Sequence, residues 1–146
     1  MDSRLLKNPR LIMSEHDFQT AARAWFAKSS SDLRSARLLM DADPPETDVA
    51  AFLSQQAAEK CLKGFLAYHG VDPPRTHDLG LLVDLAAEHR ETLHALDDIA
   101  RPLGRFAVEV RYPFIEDPPD REEAAQAVKW AGRICQRTRE LLSVDR

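Results

Sequence analysis

The stretch Arg105 to Pro113, RFAVEVRYP, gathers the side chains of this chain best suited to handle an anion. Arg105 and Tyr112 are seven residues apart, which on a helix is two turns, so both lie on one face. Glu109 falls between them, four residues after Arg105, at the spacing of a helical ion pair. Planar guanidinium groups on Arg105 and Arg111 are suited to bind phosphate through paired donors, and the Tyr112 ring is suited to stack on a base. The same spacing fits a structural ion pair covered by a tyrosine, and the residues alone leave both readings open.

A second cluster lies in QQAAEKCLK, Gln55 to Lys63. Gln56, Glu59, Lys60 and Lys63 recur at helical spacing and share one flank of an otherwise apolar helix. They form either the wall of a polar groove or a solvated edge. In the second case a Glu59–Lys63 pair contributes a few tenths of a kcal/mol. His77, in THDL, is the third candidate; it either sits idle in a helix-capping region or faces that groove. His89 and His94 take no role. No HxxxH, HExxH or Cys/His cluster is present, so neither a metal nor a cofactor is expected.

These groups need helices to position them. Apolar spacing predicts a first helix over His16–Met40, weakened in its middle by Ser29, Ser30 and Ser31 and ended by DADPPE. Thr47 or Asp48 caps a second helix that runs to about His69 and stops at Gly70. Its apolar stripe is broad, so it is central. Thr76 caps a third helix, with His77 as its first residue. Thr92 opens a fourth, kinked by Pro102 and stopped by Pro113. Asp120 caps a fifth that reaches Leu142, with Glu122 and Glu123 in its first turn. No segment alternates like a strand. The expected fold is all-α: an up-and-down antiparallel bundle of four to five helices in one domain, residues 14–146, after a flexible leader, residues 1–13.

Composition bounds the rest. Charged residues are 30% of the chain and the formal net charge is −4, so no global basic field draws it to nucleic acid or membrane. No apolar run approaches the roughly 20 residues of a membrane span. Cys61 and Cys135 lie in helical apolar patterns without a CxxC partner. They read as reduced core thiols in a cytoplasmic protein.

At QQAAEKCLKGFLAYHG, THDL and RFAVEVRYP the chain resembles HEPN-domain proteins of the small prokaryotic kind, over roughly Asp17 to Leu142. The resemblance implies a helical homodimer whose conserved helix ends surround a shared cleft. It implies one of two roles. Some members are binding subunits that partner a minimal nucleotidyltransferase and hold nucleotide or its substrate. Others are metal-independent endoribonuclease toxins, inhibited when the transferase adenylylates a motif tyrosine. On this chain the motif arginine falls on Arg105 and the tyrosine on Tyr112, the two residues a nuclease would use. The motif histidine falls on Val110, which cannot take or give a proton. Arg111 cannot substitute as a base, because it stays protonated. The binding role therefore ranks first. The ligand would be a nucleotide or other phosphorylated molecule held by Arg105, Arg111 and Tyr112. Lys60, Lys63, Glu59, Gln56 and His77 would line the groove. RNA is a partner only under the nuclease alternative.

Overall fold

The structure, a computed structural model, describes residues 14–107 and 118–144. Among the described residues five α-helices carry the fold and no strand occurs: α1 Glu15–Asp41, α2 Thr47–Tyr68, α3 Leu79–Ala87, α4 Asp97–Leu103 and α5 Arg121–Val144. Two 3-10 turns, Glu91–Leu96 and Gly104–Phe106, flank α4.

The entry to α1 is a full capping box. Ser14 Oγ accepts from the Asp17 amide, and the Asp17 carboxylate accepts from the Ser14 amide. The three serines expected to weaken α1 do not break it. Ser29 is buried, and its hydroxyl donates to the Ala57 carbonyl of α2 at 2.8 Å. It also lies 2.8 Å from Cys61 Sγ and 3.2 Å from Cys135 Sγ. One hydroxyl thus ties α1 to α2 and α5, and both thiols are free and buried. At the far end of α2, Gly70 adopts φ +77°, and the Gly70 and Val71 amides bond back to Ala67 and Leu66. This is the glycine stop expected there, closed as a Schellman turn.

Direction follows from which residues meet. Phe18, near the start of α1, lies against Gly70 just past the end of α2, so the pair is antiparallel. Arg139 reaches Phe26, while Arg37 lies over Gly132, so α5 is antiparallel to α1 as well. Small residues allow these close approaches. Ala50, Ala51, Ala57, Ala58, Ala127 and Ala131 are fully buried, and a Cβ on Gly64 would meet Trp25 Cβ at 3.1 Å. Helix α2 is the centre of the bundle, with Cys61, Leu62, Phe65 and Leu66 all at 0% exposure.

Three elements depart from expectation. The second helix already includes Thr47, so Glu46, not Thr47 or Asp48, stands at its N-cap position, with no side-chain cap bond. The third helix begins at Leu79, and its cap is Asp78, whose carboxylate accepts from the Leu81 amide at 3.1 Å. Thr76 instead accepts from the Asp78 amide, holding the turn before the cap. The fourth helix is not one kinked rod but a short α-helix between 3-10 turns. Pro102 cannot donate to the Asp98 carbonyl, and the chain tightens past it into i→i+3 bonding at Gly104–Phe106. Phe106, in the second 3-10 turn, packs into the core at 7% exposure.

Candidate functional site

The sequence offered a solvated edge as one reading of the Glu59–Lys63 pair, and the structure overturns it. Glu59 is 4% exposed and Lys63 7%. The Lys63 ammonium donates to Glu59 Oε2 at 2.9 Å, and the other carboxylate oxygen, Oε1, lies 2.7 Å from His77 Nδ1. The helical i,i+4 relation brings the first pair together. The turn Val71–Asp78 brings the third member back over the middle of α2. Two glutamines hold that turn. Buried Gln55 donates from Nε2 to the His77 carbonyl at 3.0 Å, and Gln56 Nε2 donates to Gln55 Oε1 at 2.7 Å.

A buried carboxylate with a cation on one oxygen and an imidazole on the other fixes the ring. With Nδ1 on Glu59, Nε2 is the edge left to meet a ligand. The His77 side chain is 67% exposed while Glu59 beneath it is 5% exposed. The arrangement can therefore present an oriented imidazole to solvent from a rigid base.

His77 opens onto a groove of about 370 Å³ between the start of α3 and the end of α4, lined by His77, Asp78, Leu79, Gly80, Arg101, Gly104 and Ala107. Arg101 supplies its cation. Its Nε donates to Asp97 at 2.7 Å and its Nη2 lies 3.7 Å from Asp84. The Asp97 hydrogen bond and charge hold the guanidinium pKa above its ordinary value. The remaining Nη1 lies over Gly80, where an added Cβ would come within 2.6 Å of it. Glycine at this position leaves room for the guanidinium beside the start of α3.

The other expected site residues divide into three groups. Arg105 stands next to the groove residue Gly104, but its guanidinium bonds the Glu123 carboxylate of α5 and stacks 4.5 Å from the Phe106 ring centroid. That bond lowers the Glu123 pKa, helped by the Asp120 amide. Asp120 and Glu123 cap α5 reciprocally, at 2.8 and 3.2 Å, so Arg105 docks onto a capping box. Lys60 turns toward α1 and pairs with Asp32 at 2.5 Å. Glu109, Val110, Arg111 and Tyr112 lie outside the described residues, as does the leader Met1–Met13. Ala107, the last described residue before that segment, is on the groove rim.

Gln55, Gly80 and Arg101 were not singled out in the sequence. Gln55 left a signal, an amide on the buried side of a central helix that must find a partner. Gly80 and Arg101 left none, because their meeting depends on how α3 and α4 cross.

A family model described as "HEPN domain" matches residues 22–141. The chain is similar to the solved structure of TT1696 from Thermus thermophilus, with 27% identity, a TM-score of 0.72, and coverage of 82% of this chain and 96% of that one. It is similar also to ST0689, an archaeal HEPN homologue, with 25% identity, a TM-score of 0.66 and the same coverage. No curated protein matches. Among the described residues no helix is long and apolar enough to cross a membrane.

Proposed function

The chain belongs to the HEPN family, and on that premise we propose that it is a binding subunit, holding a nucleotide or other phosphorylated ligand in the His77–Arg101 groove and pairing with a minimal nucleotidyltransferase. The observation that supports this is the imidazole oriented by the Glu59–Lys63 pair on a groove that the Arg101 guanidinium also lines. Phosphate suits both groups, since each can donate to its oxygens. In this reading Arg105, Arg111 and Tyr112, which follow the groove in sequence, complete the ligand's surroundings. The active unit is a homodimer. Leu81, on α3 near the groove, is 42% exposed, and Leu38 on α1 is 64% exposed.

Titration calorimetry with ATP tests the binding role. Loss of one charge-assisted hydrogen bond removes roughly 1.5–3 kcal/mol, so His77→Ala and Arg101→Met should each weaken affinity about tenfold or more. Unchanged affinity in both variants would reject the groove. A light-scattering mass of one 16.5 kDa chain at all protein concentrations would reject the dimer.

The nuclease reading keeps one observation in its favour. A carboxylate-oriented imidazole can serve as general base in phosphodiester cleavage, and His77 supplies one from outside the sequence motif, whose histidine position is valine. Cleavage of RNA by the purified chain, abolished by His77→Ala, would put this reading first.

A further inference from the structure

A cavity larger than the groove lies elsewhere on the molecule. It measures about 650 Å³ and lies where α1 meets the ends of α2 and α5, within the usual size range of small-molecule sites. Its walls include Arg23, Phe26, Ala27 and Ser30 of α1, Tyr68 of α2 and Arg139 of α5. No described carboxylate lines it, although the chain as a whole is net acidic. The two cations differ in how they are held. Arg139 is fixed in place: Nη2 donates to the Phe26 carbonyl at 2.8 Å and to Ser30 Oγ at 2.7 Å, and its guanidinium stacks 4.9 Å from the Phe26 ring centroid. Arg23 makes no hydrogen bond or ion pair with any described residue and stands exposed at the edge. Half-buried Phe26 and Tyr68 supply aromatic walls, and Ala22 and Leu142 supply apolar ones.

The geometry points to a second binding site here, for a small ring compound carrying one phosphate or carboxylate. Arg23 would close on the anion, Arg139 would set the positive potential behind it, and the ring would lie against Phe26 and Tyr68. This goes beyond the groove reading and does not depend on it, because no residue lines both cavities. An anion without a ring would leave the apolar walls empty. A neutral ring would leave Arg23 unanswered.

The full chain is titrated with phenyl phosphate, benzoate and inorganic phosphate by calorimetry. Two variants accompany it: Arg23→Glu, which reverses the exposed charge, and Ala27→Trp, which fills the cavity from an exposed helical position. At least one of the two ring anions should bind roughly tenfold tighter than inorganic phosphate, and which one binds distinguishes phosphate from carboxylate. Each variant should weaken that ring anion about tenfold or more, the scale of one lost charge-assisted contact. ATP affinity in the same variants should stay as in the parent, while His77→Ala should leave the ring anion unaffected. The site is overturned if neither ring anion binds at concentrations on the order of 1 mM. It is equally overturned if inorganic phosphate binds as well as they do, or if both variants bind them as tightly as the parent.

Discussion

Glu59→Gln removes one charge and almost no volume, so it isolates the electrostatic contribution of the buried carboxylate. In the parent chain Glu59 accepts from Lys63 at 2.9 Å and meets His77 Nδ1 at 2.7 Å, at 4% exposure. The variant leaves the Lys63 ammonium without a counter-ion at 7% exposure. Breaking a buried pair in this way costs about 3–5 kcal/mol. The low end applies here, because Lys63 lies 5.6 Å from the centroid of the Trp25 ring, which stabilises a cation by about 0.5–1 kcal/mol. A loss near 3 kcal/mol corresponds to a fall in Tm of roughly 6–12 °C for a chain of this length. Urea and thermal unfolding at one fixed protein concentration measure it. Glu59→Gln/Lys63→Met, which removes both charges, should recover most of the loss. His77→Ala, truncating a side chain 67% exposed, should cost under ~1 kcal/mol. A single variant that loses less than ~1 kcal/mol, or a double variant no more stable than the single, would falsify the buried-pair account.

Three further outcomes are expected. Arg105→Ala should leave Tm nearly unchanged, because its partner Glu123 is solvent-exposed, yet weaken ATP affinity; if Arg105→Ala/Glu123→Gln regains the affinity, Arg105 is only a counter-ion. Asp78→Ala should cost about 1 kcal/mol by removing the cap of α3, read as a lower urea midpoint with unchanged slope; an unchanged midpoint would mean the cap contributes nothing. The folded-state pKa of Glu123 is depressed by Arg105, and that of Asp17 by Ser14. Depressed carboxylates stabilise fully above their unfolded pKa and lose that contribution as pH falls from there through the lower folded-state pKa, so Tm should drop below about pH 5. Glu123→Gln should flatten part of that acid limb, and an identical profile in the variant would refute the assignment.

The helices were legible because their determinants are local. Apolar spacing, Asp120 ahead of a Glu-rich turn, and Gly70 after Tyr68 each act within a few residues. The errors arose where two local signals competed. THDL holds two residues able to cap, and Asp78 takes the helix because its carboxylate reaches the Leu81 amide, leaving Thr76 to the preceding turn. Pro102 forbids one hydrogen bond but does not say whether the chain bends or changes its winding. Here it changes winding, with Gly104 in the 3-10 turn that follows.

The site was legible only in part, for a different physical reason. Helical spacing says that Glu59 and Lys63 meet; it cannot say whether they meet in water. That depends on the cover, and the cover is the turn Val71–Asp78, fastened by Gln55 to the His77 backbone. Burial changes the meaning of the pair. In water its contribution is a few tenths of a kcal/mol and it can be lost without consequence. Under the turn, Glu59 is held by Lys63 from below and itself holds an imidazole above, so a charge in the core sets the orientation of a ring at the surface. Arg105 shows the converse. The sequence offered it a partner four residues on, Glu109, which lies outside the described residues; within them the helical winding tightens at Gly104–Phe106, and the guanidinium crosses to Glu123 on α5. Local spacing is informative about partners only while the helix that defines it persists. Where that helix stops, at the groove between α3 and α4, tertiary contacts decide which charges meet.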